Sequence, residues 1–169
     1  SATTTGANDL VTRLQFENNT ADSTINLNHS ATYGTINYVG GKVGSNAVSL
    51  NGSNSFVQLP SNLANQQEIT IATWIYWRGG GAWQRIFDFG NSQTEYMFLT
   101  PNNGSSQLRF SIKNGGAEQQ LNATALVAGK WNQVAETLAA GAARMYVNGV
   151  MVSESNLITI SPMDFKPVF

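Results

Sequence analysis

Gln66-Gln67-Glu68-Ile69-Thr70-Ile71-Ala72-Thr73-Trp74-Ile75-Tyr76-Trp77 is the stretch that decides how this chain is read. Past Glu68 it runs nine residues without a charge, a glycine or a proline, and β-branched and aromatic types dominate it. That length and composition predict a central strand buried on both faces rather than a helix. Downstream, Trp131-Asn132-Gln133-Val134-Ala135 leads into Ala143-Arg144-Met145-Tyr146-Val147-Asn148-Gly149-Val150. There Asn148-Gly149 between two apolar runs is a strong hairpin signal. No segment carries a helical apolar period of useful length, and no internal repeat is found. The pattern predicts an all-β chain, a two-sheet antiparallel sandwich or jelly roll, with Ile69, Ile71, Ile75, Val134 and Leu138 in its core.

Working outward, residues 1–8 read as a flexible lead-in and residues 9–169 as one domain. Leu10, Leu14 and Phe16 share a face at period two and predict an opening strand over Leu10–Phe16. Glu17–His29, rich in Asn, Ser and Thr, is predicted as loop. A short strand is expected near Thr35–Val39, then a tight pair, Ala47–Leu50 and Ser55–Leu59, about the turn Asn51-Gly52-Ser53-Asn54. Residues 61–67 have room for a single helical turn. After the long strand, Arg78-Gly79-Gly80-Gly81-Ala82-Trp83 reads as a flexible loop. Strands are then expected at Arg85–Phe89, Glu95–Leu99, Gln107–Lys113 and Gln119–Leu121, and near 131–138, 143–147, 150–154 and 157–160.

Composition narrows the function classes. Only 11% of the residues are charged, while Asn, Ser, Thr, Gln and Gly are abundant, a surface that suits an extracellular β-protein. A net charge of -1 with no basic run argues against nucleic acid or an anionic membrane as the main partner. The absence of cysteine excludes disulfides, cysteine-based zinc sites and thiol catalysis. It fits a bacterial secreted protein better than a small disulfide-stabilised animal module. No apolar stretch is long enough to span a bilayer as a helix.

The ten acidic residues are scattered singly, so the two-carboxylate machinery of glycoside hydrolysis is not legible and no catalytic residue is predicted. His29, the only histidine, sits in a polar loop and reads as a solvated residue. Trp74, Trp77 and Trp131 fall in predicted strands and are assigned to packing. Trp83 differs, because it follows three glycines and adjoins Gln84 and Arg85. A loop tryptophan beside polar forks suits stacking on a sugar ring, with Arg85 bonding hydroxyls; Tyr96 and Arg109 are further candidates of this kind. The residues leave open the alternative that Trp83 folds back over the edge of the sandwich.

The order of these signals resembles the laminin-G-like, concanavalin-A-like jelly-roll domains attached to bacterial secreted glycosidases and surface proteins. The resemblance is carried by Leu10–Phe16, Ala47-Val48-Ser49-Leu50-Asn51-Gly52 with Phe56-Val57, Ile69–Trp77, Trp131–Ala135 and Met145-Tyr146-Val147-Asn148-Gly149. It covers residues 9 to about 165. The chain departs from the family's pattern at Asn51, where an Asp is common, and at Gln133, where a His is common. It departs again at Glu136, where an apolar residue is usual. The resemblance implies a further closing strand, so the chain is expected to lack its closing C-terminal strand. It also implies loops meeting at one edge of the sandwich, where Glu17, Asp22 and Asn51 could hold a structural calcium through hard oxygen ligands.

The sequence therefore predicts a non-catalytic carbohydrate-binding or adhesion module of a secreted or cell-surface bacterial protein, of the kind appended to a glycoside hydrolase. Its expected partner is a glycan or polysaccharide, with neither nucleic acid nor membrane insertion. An open sheet edge would pair with another chain or the rest of the parent protein. Two alternatives stay open: a structural surface or filament module without ligand, and a glycoside hydrolase domain.

Overall fold

The computed structural model describes residues 10–61, 63–90, 92–139 and 141–160; the expected lead-in at residues 1–8 lies outside them. Every regular element among the described residues is a strand, and every pairing is antiparallel. The chain divides into two compact units, Ser1–Leu63 and Ala64–Phe169.

The first unit holds β1 (Ala31–Tyr33), β2 (Asn37–Gly40), β3 (Asn46–Ser49) and β4 (Phe56–Gln58). β1 pairs with β4 and β2 with β3. Tyr33 stands opposite Phe56, and their rings stack with centroids 4.8 Å apart. This corrects the expected tight pair, since the strands on either side of Asn51–Asn54 bond to different partners. The reason is local: the Asn51 side-chain oxygen accepts the N–H groups of Ser53, Asn54 and Ser55 at 2.9, 3.1 and 3.2 Å. Those donors are thereby withdrawn from a hairpin ladder. β1 itself was not expected.

Leu10–Phe16 is not a strand either; its one ladder contact is an isolated bridge between Leu14 and Asp22. Its backbone is claimed by polar side chains instead. Asn26 and Asn28 donate to the Val11 carbonyl at 3.0 and 2.9 Å, and the Arg13 N–H donates to Asp22 at 2.8 Å. Short polar side chains of this kind compete with sheet pairing, and a period-two apolar pattern does not reveal them.

The second unit holds β5 (Ile69–Tyr76), β6 (Phe87–Gly90), β7 (Glu95–Thr100), β8 (Gln107–Asn114), β9 (Gln119–Thr124), β10 (Trp131–Ala139), β11 (Gly141–Val147) and β12 (Val150–Ile158). Two sheets result, ordered β6-β7-β8-β9 and β12-β11-β10-β5. The inward faces bring Phe89, Met97, Leu99, Leu108, Phe110, Ile112 and Leu121 of the first together with Val134, Leu138, Ala143, Met145 and Ile158 of the second, all buried. β9 packs against β11 and β12, and Gln119 clamps Thr159 through two hydrogen bonds of 2.7 and 2.8 Å. The result is the all-β antiparallel sandwich that the strand pattern predicts.

The deciding stretch is a strand, but its environment differs from the expectation. β5 pairs only with β10 among the described residues, and its exposure alternates strictly along its length. Trp74 and Tyr76 are 40% and 44% exposed, so the strand is half-buried rather than covered on both faces. Of the expected core, Val134 and Leu138 are buried, whereas Ile69, Ile71 and Ile75 are half-buried. A strand with one neighbour is shielded from one side only, and its apolar outer residues do not show that in sequence. The expected strands at 150–154 and 157–160 join as β12, whose pairing with β11 slips at two irregularities. Asn148-Gly149 forms the β11–β12 turn as expected, with φ of 52° and 81°. No helical turn occurs in the described part of residues 61–67.

Candidate functional site

The outer face of the sheet β6-β7-β8-β9 gathers the side chains with chemistry. Strand alternation sends Met97 and Leu99 inward, so Tyr96 and Phe98 point outward. Asp88 stands opposite Phe98, and Arg109 stands opposite both Thr100 and Asn122. A shallow concavity of about 400 Å³ lies here, lined by Trp83, Arg85, Asp88, Tyr96, Phe98 and Glu118, with Gly90, Ser92 and Gln93 at its rim. That volume is at the lower end of the range for small-ligand sites.

Trp83 hangs over this face from the glycine-rich loop. Its φ of 68° is a conformation bulky residues seldom adopt, and its N–H is held by the Asn102 carbonyl at 2.7 Å. One edge of the indole meets Phe98 with centroids 6.5 Å apart and planes at 80°, while 47% of the residue stays exposed. An edge of the indole thus packs against the sheet, while about half of the residue stays exposed.

Arg85 ties the floor to the loop. Its guanidinium lies 3.8 Å from the Phe98 ring centroid, its Nη1 donates to the Trp83 carbonyl at 2.8 Å and its Nε to Asp88 at 2.9 Å. Burial raises the Asp88 carboxyl against the opposing pull of Arg85. Tyr96 donates its hydroxyl to Glu118 Oε2 at 2.6 Å. Burial, and then that bond, push its phenol up to about 12. Arg109 donates through Nε to Asn122 at 2.8 Å, brings Nη1 within 3.7 Å of Glu118 Oε1, and sits 5.6 Å from the Trp83 ring.

The four expected sugar-binding residues, Trp83, Arg85, Tyr96 and Arg109, therefore converge on one face. Sequence reasoning missed three neighbours that complete it: Phe98, Asp88 and Glu118. Phe98 was legible as the outward partner of Tyr96 two positions away. Asp88 and Glu118 were not, because only strand pairing brings them beside Arg85 and Tyr96.

The expected calcium ligands lie in the first unit, each engaged in hydrogen bonds of its own. Asp22 accepts from the Arg13 N–H, the Thr24 N–H and hydroxyl, and the Asn28 N–H at 2.7–2.9 Å. Burial alone would raise its carboxyl, but these bonds together hold it well below the usual range. Glu17 accepts from the Ser45 N–H at 2.7 Å, which lowers it, and from Asn46 at 3.1 Å. Asn51 organises the turn described above. No group of three or more His, Cys, Asp or Glu side chains able to hold a metal occurs among the described residues. His29 Nδ1 accepts the Asp22 N–H at 3.0 Å, so it too serves this loop.

Fold and site together define a laminin-G-like β-sandwich with a ligand-sized concavity on one outer sheet face. Residues 51–167 match the family described as the concanavalin A-like lectin/glucanases superfamily, and the chain belongs to that family. No curated protein sequence matches it significantly. Among solved structures it is similar to domain 4 of AbnA, an extracellular GH43 arabinanase from Geobacillus stearothermophilus, in complex with arabinotriose. That match has a TM-score of 0.72 at 22% identity and covers 86% of this chain and 75% of that one. An S-layer domain-containing protein from Clostridium thermocellum is 31% identical, with a TM-score of 0.54 over 85% of this chain and 69% of the other. The binding domain of botulinum neurotoxin serotype C1 matches with a TM-score of 0.61 at 15% identity, over 90% of this chain and 39% of that one. The first and third of these likenesses establish the shared sandwich alone.

Proposed function

We propose that this chain is a non-catalytic carbohydrate-binding module of a secreted or cell-surface protein, and that a glycan docks on the outer face of β6-β7-β8-β9. One observation carries the reading: a half-exposed tryptophan, Arg85 and Tyr96 line a single concavity, and Arg109 stands beside it, 5.6 Å from the Trp83 ring. The open half of the Trp83 ring offers an apolar plane for a sugar's C–H face. Arg85 and Arg109 retain N–H groups beyond those already used, and these would donate to hydroxyls. The arabinotriose complex of the similar arabinanase domain supports a glycan as the ligand class. That extracellular enzyme and the S-layer protein support an extracellular setting.

A glycosidase reading is favoured by one fact, that Asp88 and Glu118 line the same concavity. Hydrolysis needs one of two such acids free to give up a proton and the other free to attack or activate water. Here Asp88 accepts from Arg85, while Glu118 accepts from Tyr96 and faces Arg109. Both carboxylates thus serve as acceptors within the site, which favours binding over turnover.

Titration calorimetry with arabinotriose and a neutral-glycan panel tests the proposal. Trp83→Ala should weaken binding roughly tenfold, about 1.4 kcal/mol, while leaving the chain folded with a cooperative melt, lowered at most by the lost Phe98 contact. Equal binding by the variant would place the ligand elsewhere, and release of reducing sugar would restore the enzyme reading.

A further inference from the structure

Resting on the carbohydrate reading above, we infer that the site on β6-β7-β8-β9 is built for uncharged glycans and discriminates against acidic ones. Both guanidinium groups at the site are already matched with a carboxylate: Arg85 with Asp88 at 2.9 Å and Arg109 with Glu118 at 3.7 Å. The two pairs leave no net charge between them. Neither Arg109 nor Lys113, which stands opposite Tyr96 in register, lines the concavity itself; Arg109 borders it through Glu118 and the Trp83 ring.

This arrangement fits a hydroxyl group and not an anion. A sugar hydroxyl both donates and accepts, and each arginine–carboxylate pair offers N–H groups and lone pairs side by side. A neighbouring pair of hydroxyls can therefore bond to one pair without breaking it. A sugar carboxylate only accepts. A sugar carboxylate that takes a remaining N–H from either arginine sets its charge beside Asp88 or Glu118, and two-point contact with the fork would displace that acid and leave it partly desolvated and unpaired. Tyr96 adds no cation and commits its proton to Glu118. Arg85 is further occupied below, by the Phe98 ring and the Trp83 carbonyl. The open surface of the site is thus the Trp83 plane flanked by self-compensated polar pairs, a chemistry that selects on shape and hydroxyl placement.

Calorimetry on the full chain with arabinotriose, xylotriose and cellotriose, against trigalacturonate, tests the inference at about 20 and about 500 mM NaCl. The best neutral trisaccharide should bind at least roughly tenfold more tightly than trigalacturonate, and salt should change its affinity by less than about twofold. The double variant Asp88→Asn, Glu118→Gln frees both arginines. It should narrow that gap and make trigalacturonate binding weaken with salt. Trigalacturonate binding to the unmodified chain as tightly as the neutral sugars would overturn the inference while leaving the carbohydrate reading intact. Binding of neither class would overturn the carbohydrate reading and the inference with it. If the double variant binds both classes as the unmodified chain does, the two acids do not set the preference.

Discussion

A carboxyl group stands where the inward face of β10 needs a hydrocarbon. Glu136 lies between Val134 and Leu138, opposite Met145 on β11 and Ile71 on β5. It is 2% exposed, and neither carboxyl oxygen has a hydrogen-bond partner among the described residues. Burial pushes its pKa from 4.5 to about 9. The folded chain therefore keeps the proton over a range where the unfolded chain has released it. The unfolded state binds fewer protons, so this group's contribution to stability falls as pH rises from about 4.5 to about 9. At pH 7 the loss is about 3 kcal/mol. Glu136→Leu should raise the melting temperature at pH 7 and flatten the fall above pH 5, measured by calorimetry across pH. A variant with the same slope as the parent would mean that the carboxyl finds a partner. Alternation along Trp131–Ala139 makes this conflict visible in the sequence; only the structure shows that no donor among the described residues reaches the buried oxygens.

At the scale of elements, what an apolar run becomes depends on which polar neighbours reach its backbone. Asn148-Gly149 needs only its own positive φ values, so its hairpin is readable from two residues. Leu10–Phe16 looked equally regular, yet Asp22, Asn26 and Asn28 take its N–H and carbonyl groups from 9 to 17 residues away. Asp22 is the hub of that loop, and four donors occupy its carboxylate. Calcium would have to displace them. Adding a chelator is therefore expected to leave the melting temperature unchanged, and a clear drop would place an ion at this loop by linkage. Asp22→Ala removes the acceptor for all four donors and should cost about 2–3 kcal/mol in chemical denaturation. A loss below roughly 0.5 kcal/mol would mean that water replaces the carboxylate without penalty.

Over the whole molecule, the depth of the interior predicts where the backbone opens last. In the second unit, strands of four to nine residues bury Met97, Leu99, Phe110, Ile112, Val134, Leu138 and Met145. The first unit has strands of three or four residues, none with a buried residue. Hydrogen exchange should accordingly be slowest in β7, β8, β10 and β11 and much faster in β1 to β4; comparable protection in both units would refute this. The class of the fold was legible in the chain, because period-two alternation, β-branched runs and Asn-Gly turns are local and name strands wherever they occur. Trp83, Arg85, Tyr96 and Arg109 were legible as types suited to sugars, since a side chain's chemistry needs no neighbour to be recognised. Their meeting on one face was settled by the register of β6 to β9, which sets Asp88 against Phe98 and Arg109 against Asn122. The half-exposure of β5, the partners of β1 and β4, and the arrival of Glu118 beside Tyr96 were likewise decided only by the tertiary structure. Each depends on contacts between residues far apart in the chain, and a local pattern records what a segment prefers, not what is packed beside it.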